Sequence, residues 1–557
     1  MGYGDIGYQS TDLKEMTPNL DALAADGIKL TNYYSMDVCT PARGSLMTGR
    51  YAVRLGMQYS VITAGAPWGL PLTEKIMPEY MNDAGYESHM VGKWHLGMHV
   101  DEALPSRRGF KSFMGYLNGE EYFYSHKSPE AEYDGKYFYD FGFGNETDYY
   151  DLTKTNHGVA CSGATITKDD IEGQEYLAVL EQQNPADACY TDTYSTDAFL
   201  GRARQIVKSK TPVDEEPLFL YIAHQSVHTP VGPAPAEGFT ADEMALLAAV
   251  AARTTTEIRV QFAAVLLYLD KRIGEFVEML EAEGWLDNSI IVVASDNGGC
   301  PSVGGSNYPL RGTKLSLFEG GTKVPAFVWS RSHIPEELWG TTYDKLMHVT
   351  DWVPTLASAT DSSFAGSAGP LDGIDQWDSL VSLEVDRDSS EGPRTEMLYN
   401  WNPYVLSSQS DGPAVEDMNL TQGAFREGKW KLLTNVWCSG YYSADALIVK
   451  SDPLLDPEVI CPASRQCEDC CSCCSEDPEY LFSDRLFDLE SDPREAHDVM
   501  AEYPEIADRL RRRAHDVIMS EWTPSHYLPT NTDSYAVWAA QDWWMVPWVD
   551  KVLPDRP

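Results

Sequence analysis

The stretch CTPARGSLMTGR, at residues 39–50, lies where a predicted loop meets a predicted helix. Pro41 suits the first helical position, because the N–H that it lacks would have no partner there. A helix that begins near Pro41 directs its free N–H groups and the positive end of its dipole at whatever Cys39 binds. Arg43 adds a planar set of donors that suits an oxyanion. The pattern Cys-x-Pro-x-Arg therefore indicates an anion site, but it fits a buried or disulfide-bonded cysteine beside a surface arginine equally well.

Two continuous apolar runs, at residues 217–223 and 289–295, predict strands that are buried on both faces of a parallel sheet. His228 lies just past the first run, and Asp296 and Asn297 directly follow the second. Ligands bind outside the carboxyl ends of strands in open α/β sheets. Carboxylate and amide oxygens followed by glycines suit a hard cation such as Ca²⁺ or Mg²⁺, and the alternative is an ordinary Asx turn. The sequence therefore predicts an α/β fold with candidate ligand-binding residues at the ends of strands.

Further basic residues lie in two glycine-containing segments. GKWHLG at residues 92–97 follows a short predicted strand and carries Lys93 and His95 in a loop. A Lys-x-His pair in such a loop is, by itself, typical of a solvated surface. LRGTK at residues 310–314 adds Lys314.

Length and charge set limits on the kind of protein. The 557 residues exceed what one hydrophobic core usually supports, so we expect a large domain and a smaller one. The 85 acidic and 42 basic residues give a net charge of −43, which argues against a nucleic-acid-binding protein. An acid-rich surface keeps a protein soluble at high salt, so we expect a secreted enzyme from a saline setting. The sequence contains no apolar run long enough for a transmembrane helix.

Cysteine usage indicates an oxidising compartment. Setting Cys39 aside leaves ten of the eleven cysteines, an even number that is compatible with disulfides. Six of them lie at residues 461–474, where the C-x2-C spacing of Cys467 and Cys470 is compatible with zinc. No second, well-spaced Cys pair or His pair follows, so a loop held by disulfides is favoured over a zinc site. The sequons at Asn145 and Asn419 are short patterns that agree with a secreted glycoprotein.

Two other segments are expected to pack onto the main body. Residues 120–190 are rich in Tyr, Asp, Gly and Asn, and we interpret them as a long insertion over the active-site face, held by Cys161 and Cys189. The C-terminal tail is too aromatic for a free end, so we expect it to dock. Its tryptophans are Trp538, Trp543, Trp544 and Trp548.

Seven short strings, in this order along the chain, resemble signatures of the type I sulfatases, and within them the arylsulfatase B or N-acetylgalactosamine-4-sulfatase type. The strings are CTP at 39–41, GKWHLGM at 92–98, RRGF at 107–110, QSVH at 225–228, SDNGG at 295–299, PLRG at 309–312 and GKWKLL at 428–433. The resemblance implies an alkaline-phosphatase-like sandwich with a large mixed, mostly parallel sheet flanked by helices. A smaller C-terminal domain with an antiparallel sheet and a helix is also implied. The catalytic domain would span residues 1–370 and the smaller domain residues 371–557.

The resemblance also implies a mechanism. In type I sulfatases the cysteine is oxidised by the formylglycine-generating enzyme, and the hydrate of formylglycine is the nucleophile, so Cys39 would become formylglycine. His228, with a lysine, would protonate the leaving alcohol, and His95 would take the proton of the second hydroxyl. The sulfate oxygens would be held by three basic residues, Arg43, Lys93 and Lys314.

By the same resemblance, Ca²⁺, or alternatively Mg²⁺, is bound by Asp296, Asn297 and the modified Cys39. The family's first strand ends in an Asp-Asp pair just before the segment seen here as GYGD at residues 2–5, and that pair is absent because the chain begins at Met1. We interpret this as an N-terminal truncation that has also removed a signal peptide. The alternative is a protein that binds metal poorly and is inactive.

The implied function is hydrolysis of sulfate esters, with an aryl sulfate or a sulfated sugar such as N-acetylgalactosamine 4-sulfate in a glycosaminoglycan as substrate. The implied location is secreted or lysosome-like. The expected partners are a sulfated carbohydrate and the maturation enzyme, with no nucleic acid and no membrane span. Two alternatives stay open: a phosphate or phosphonate ester hydrolase of the same superfamily, and an inactive glycan-binding protein.

Overall fold

The computed structural model of the protein describes residues 1–146, 148–152, 190, 193–212, 216–254, 256–362, 369–383, 392–402, 422–437 and 482–549. Its α-helices are Pro18–Ala25, Cys39–Thr48, Met77–Asp83, Ser195–Lys208, Ala241–Arg253, Glu257–Ala282, Glu319–Thr322, Trp352–Ala359, Trp377–Val381, Pro504–Ser520 and Asp533–Ala540. Its strands are β1 (Ile28–Leu30), β2 (Tyr33–Tyr34), β3 (Glu87–Lys93), β4 (Ser112–Tyr116), β5 (Lys127–Tyr133), β6 (Lys136–Tyr139), β7 (Gly142–Asn145), β8 (Tyr149–Asp151), β9 (Leu218–Ala223), β10 (Ile291–Ala294), β11 (Ala326–Trp329), β12 (Thr342–Tyr343), β13 (Met347–His348), β14 (Glu396–Asn402), β15 (Gln422–Glu427), β16 (Trp430–Trp437) and β17 (Phe482–Asp488).

Two mixed sheets form the main body. The five-stranded sheet has the order β8-β7-β4-β3-β9, with β3 parallel to β4 and β9, and with β7 and β8 antiparallel to their neighbours. The four-stranded sheet has the order β10-β11-β1-β12, in which only the β1–β12 pair is parallel. The α/β class with mixed sheets is confirmed. The pairing is more antiparallel than we predicted, because β7 and β8 are successive strands of the predicted insertion and join the sheet as a meander.

The strands β9 and β10 are edge strands in the described part of the chain. β9 pairs with β3 alone, and β10 pairs with β11 alone. Most of their apolar side chains are only half-buried, and Ala294 at the end of β10 is exposed. The prediction that both apolar runs are buried on both faces of a parallel sheet is therefore wrong: most side chains of both strands are half-buried, and β10 pairs antiparallel with β11.

The helix Ser195–Lys208 covers the centre of the five-stranded sheet. Its residues Phe199 and Ala203, four positions apart on one helix face, pack in the same apolar cluster as Val91 of β3 and Met114 of β4. This packing fixes β3, whose last residue reaches the candidate site. Among the described helices, none has the length and apolar character that crossing a bilayer requires.

A separate antiparallel sheet, in the order β14-β15-β16-β17, follows in the C-terminal part of the chain. Gly428, with a φ of 56°, forms the turn between β15 and β16. The helix Pro504–Ser520 packs on this sheet through an apolar stripe that includes Leu510 and Ala514. The predicted antiparallel sheet and helix are therefore confirmed.

The aromatic tail docks on the main body, as expected. The helix Asp533–Ala540 buries Trp538 completely, and Trp548 is also buried, in the same core cluster as Trp68 and Leu96. The Cys161–Cys189 pairing, the cysteine-rich loop at 461–474 and the sequon at Asn419 lie outside the described residues.

Candidate active site

The helix that carries the CTPAR stretch begins at Cys39 itself, two residues before the predicted start, and ends at Gly49 with a φ of 69°. Val38 is extended, so the chain enters the helix directly at the cysteine. Cys39 is 2% exposed. Its position in the first turn places it beside backbone N–H groups that have no partner within the helix.

Positive and imidazole side chains surround the Cys39 sulfur. Burial alone would raise the pKa of the thiol, but the charges of Lys314 and Lys93, and then the neighbouring His228 and His95, lower it well below its usual range. The sulfur also lies 3.3 Å from Asn297 Oδ1. The lysine charges favour a thiolate, which is the reactive form of cysteine, whereas Asn297 Oδ1 can accept a hydrogen bond only from the protonated thiol.

Lys93, the last residue of β3, is 1% exposed. Its Nζ makes no hydrogen bond to any described residue. Burial lowers the pKa of Lys93, although the nearby Cys39 opposes this effect. A buried ammonium without a hydrogen-bonding partner is costly, which marks this position as one that is completed by an anion.

Arg43 is held in place by two neighbouring elements. Its Nη1 donates to the backbone oxygen of Lys93 over 2.8 Å, and its Nη2 lies 3.1 Å from Asp296 Oδ2. The first contact joins the nucleophile helix to the end of β3, and the second joins it to the residues after β10. The guanidinium therefore fixes the geometry among three parts of the site.

His228 and Lys314 form a pair on the second side of the sulfur. Lys314 Nζ donates to His228 Nε2 over 3.0 Å, and His228 Nδ1 donates to Thr229 O over 2.8 Å. Burial and the charges of Lys314 and Lys93 lower the pKa of His228 to about 4. The ring is therefore neutral at pH 7, with its proton on Nδ1 and its lone pair on Nε2.

His95 has a φ of 58°, a left-handed conformation that is uncommon for residues other than glycine. Its Nε2 donates to Ile62 O over 2.9 Å, which leaves Nδ1 as the nitrogen that can accept a proton. Burial, followed by the charge of Lys93, lowers the pKa of His95 to about 4. The ring is thus held neutral, in one tautomer, next to Cys39.

The described residues do not complete the predicted calcium site. Asp296 shares its carboxylate with Arg43, and Asn297 Oδ1 faces Cys39. In the described part of the chain, no group of three or more His, Cys, Asp or Glu side chains could hold a metal ion. Calcium takes six to eight oxygen ligands in proteins, so Asp296 and Asn297 account for a minority of them.

Two acidic residues near the site were missed by the sequence analysis. Glu120 Oε2 lies 3.8 Å from His228 Nδ1. Glu130, on β5, has a carboxyl whose pKa is raised to about 7, first by burial and then by the charge of Glu120. Gly119 lies between the side chains of Glu130 and His95, because a Cβ placed on it would be 2.3 Å from Glu130 Oε1 and 3.0 Å from His95 Cε1. The only sequence signal was their position in the stretch predicted to cover the active-site face.

All the predicted site residues come together around one sulfur, from the helix start, the end of β3 and three later loops. These residues are Cys39, Arg43, Lys93, His95, His228, Lys314, Asp296 and Asn297.

Comparison with known proteins identifies the family. Residues 1–362 match the family model described as Sulfatase. Arylsulfatase J of Mus musculus is 32% identical over 522 residues, which cover 92% of this chain and 73% of that protein. Arylsulfatase A of Homo sapiens is 27% identical over 514 residues, covering 90% of this chain and 81% of that protein.

Solved structures share the fold. The crystal structure of Ps i-CgsB matches with a TM-score of 0.64 at 22% identity, covering 97% of this chain and 95% of that one. The PsFucS1 sulfatase from Pseudoalteromonas sp. matches with a TM-score of 0.63 at 19% identity, covering 94% and 89%. With a family match over more than half of its length and a relative 32% identical across 92% of it, this chain belongs to the sulfatase family and is a sulfuric ester hydrolase.

Proposed function

We propose that the protein hydrolyses sulfate esters of carbohydrates and that its nucleophile derives from Cys39 as formylglycine. The observation that carries the proposal is the convergence of two lysines and two histidines on one buried sulfur at a helix start. A purely structural cysteine has no need of such surroundings, because burial in apolar groups would satisfy it. The convergence instead suits a group that acquires negative charge during a reaction.

Three cations are arranged to bind the sulfate oxygens. Lys93 Nζ makes no hydrogen bond to any described residue and is free to donate to an oxygen of the substrate. Arg43 is already oriented by its bonds to Lys93 O and Asp296, so it loses little freedom when substrate binds. Lys314 lies within hydrogen-bonding reach of the same sulfur. Fixed charges of this kind stabilise the transition state more than charges that must reorient.

Proton transfer falls to the two histidines. The hydrated aldehyde, once formed at position 39, supplies the hydroxyl that attacks the sulfur atom of the sulfate ester. Lys314 holds the proton that it shares with His228 Nε2, at the position proposed for the leaving oxygen. His95 presents Nδ1 toward Cys39 and is the base for the second hydroxyl. With both rings neutral at pH 7, Nδ1 of His95 and Nε2 of His228 each carry a lone pair that can accept a proton.

Names of relatives support a carbohydrate substrate. Human N-acetylgalactosamine-6-sulfatase is 29% identical over 60% of this chain, which spans 56% of that protein. The structure of BT4656 in complex with D-glucosamine-2-N,6-O-disulfate has a TM-score of 0.55 at 15% identity. A sugar sulfate such as N-acetylgalactosamine 4-sulfate therefore remains our proposed substrate class, with calcium as the proposed ion. We assign no catalytic step to that ion.

The decisive experiment combines mass spectrometry with turnover. After coexpression with the formylglycine-generating enzyme, the Cys39 peptide should lose about 18 Da, the change from thiol to aldehyde. The modified protein should hydrolyse an aryl sulfate and a sulfated N-acetylgalactosamine, and Cys39→Ala should abolish turnover while the thermal unfolding curve is retained. Normal turnover by Cys39→Ala would end the proposal, and faster hydrolysis of the matched aryl phosphate would replace it with phosphate ester hydrolysis.

A further inference from the structure

A groove lies on the β5–β6 hairpin, where the C-terminal tail pairs with it. The groove has a volume of 360 Å³. Its lining contains two lysines, three aromatic rings and one carboxylate. The residues are Lys127, Gly135, Lys136, Tyr137, Tyr139, Asp542 and Trp543.

The two lysines lie over aromatic rings. Lys127 Nζ is 5.0 Å from the centre of the Tyr139 ring, and Lys136 Nζ is 4.6 Å from the centre of the Trp543 ring. Neither lysine forms an ion pair with a carboxylate among the described residues, although the chain as a whole carries 85 acidic residues. Two carboxylates lie in the same region, Asp542 in the lining and Glu132, which hydrogen-bonds to Tyr137. The lysines and the aromatic rings together are complementary to a ligand that is both anionic and flat-faced.

The backbone holds the aromatic rings in place. Tyr139 N donates to Trp543 O over 2.8 Å, and Met545 N donates to Tyr139 O over 3.0 Å. The Trp543 ring stacks on the buried Phe138, with ring centres 5.3 Å apart. Asp542 and Trp543 both have a positive φ, 59° and 69°, a conformation that persists only where the surroundings impose it. The rings are thus presented rigidly rather than collapsed into the core.

The hairpin connects this groove to the active site. β5 carries Glu130, whose carboxylate lies against Gly119 beside the His95 ring. Lys127 precedes Glu130 by three residues on β5, about 10 Å along an extended chain. The register of β5 against β6 shifts between Lys127 and Glu132, so the regular alternation of faces does not separate the two side chains. A sulfated oligosaccharide of a few sugar units would cover this distance, whereas a monosaccharide or a simple aryl sulfate would not.

We propose that this groove is a second binding site, for the sulfated sugar units that lie beyond the one being hydrolysed. The lysines would pair with sulfate groups, and the aromatic rings would stack against sugar faces. The inference rests on the proposed function, because it names a polymeric form of the same substrate. It implies that the enzyme recognises a sulfated chain rather than a single sugar.

The test measures binding without turnover. The full chain carrying Cys39→Ala is titrated with a chondroitin 4-sulfate hexasaccharide and with the desulfated hexasaccharide, at low and at physiological salt. Adding Lys127→Gln and Lys136→Gln should weaken binding of the sulfated hexasaccharide about tenfold and reduce its salt dependence, with little change for the desulfated one. Tyr137→Ala, which alters stacking and not charge, should weaken both.

The matched control is Lys429→Gln. Lys429 also lies over an aromatic ring, 4.9 Å from the centre of Trp430, but it is paired with Asp488 at 2.7 Å. This variant should bind the sulfated hexasaccharide as the parent does. Equal binding by the double variant and its parent, or an equal loss in Lys429→Gln, would overturn the inference.

The two proposals fail in different ways. If the modified enzyme hydrolyses the aryl sulfate but the groove variants bind normally, only the groove inference is wrong. If no sulfate ester is hydrolysed, the proposed function is wrong, whatever the groove binds. Unchanged thermal unfolding of each variant excludes loss of folding as the cause of weaker binding.

Discussion

Lys314 Nζ donates to Nε2 of His228 over 3.0 Å, and this contact joins two loops that lie 86 residues apart in the chain. His228 Nδ1–H donates a hydrogen bond to Thr229 O, so Nε2, the nitrogen that faces Lys314, carries a lone pair. The pair therefore holds a single transferable proton between two bases, next to Cys39. Neither residue alone reproduces this arrangement, because burial and then the charge of Lys314 lower the pKa of His228, and His228 Nε2 orients the ammonium.

We expect the two residues of this pair to act as one unit in turnover. His228→Ala and Lys314→Ala should each lower kcat for an aryl sulfate by about 10²–10³-fold. The double variant should lose far less than the product of the two single losses, because either substitution already removes the shared proton. Steady-state kinetics on the four proteins measures the coupling. Losses that multiply would show that the residues work independently.

The site could be predicted from sequence because its residues follow strands and a helix start, which bring distant segments together. Lys93 closes β3, and Asp296 follows β10. Glu130 could not be predicted, since its burial depends on how the hairpin β5–β6 folds back over Gly119. The partial exposure of β9 could not be predicted either, because an apolar run indicates a strand but not its place in the sheet or what packs on its faces.

The buried ammonium of Lys93 should reduce the stability of the fold. In the modified enzyme Cys39 carries no thiolate, so Lys93 loses a nearby negative charge. Lys93→Met should therefore raise the Tm by about 2 °C while lowering kcat about 10²–10³-fold. Differential scanning fluorimetry and aryl sulfate turnover on the same samples measure both effects.

A buried but paired lysine provides the control for Lys93. Lys431 is fully buried and lies 2.9 Å from Glu319 Oε1 and 2.8 Å from Glu495 Oε1. Lys431→Met should destabilise the protein by about 3–5 kcal/mol, because it leaves two carboxylates without their partner. If Lys93→Met destabilises the protein to a similar extent, Lys93 stabilises the folded structure and is not reserved for binding an anion.

Calcium binding by this chain should be weak. Asp296 and Asn297 supply two oxygens from their side chains, and Asp296 is already bound to Arg43. Sites with few carboxylates bind calcium in the range of about 10⁻⁴–10⁻³ M. Isothermal titration with CaCl₂ should therefore give a Kd of about 10⁻³ M. The substitution Asp296→Asn should weaken the affinity further. A Kd of about 10⁻⁶ M would mean that further ligands come from outside the described residues.

The carboxyl of Glu130 should make stability depend on pH. Burial, and then the charge of Glu120, raises the pKa of Glu130 to about 7, whereas an unfolded glutamate has a pKa of about 4.3. Between these values the native state holds a proton that the unfolded state has lost, so the contribution of Glu130 to stability falls as pH rises through this window. Glu130→Gln mimics the protonated form, so its Tm should equal that of the parent at pH 4.5 and be higher than that of the parent at pH 8. Glu132→Gln, at an exposed position of the same strand, should show no such pH-dependent gain. An equal Tm for Glu130→Gln and its parent at pH 8 would mean that Glu130 is ionised there, and that the margin of the active site is open to water in solution.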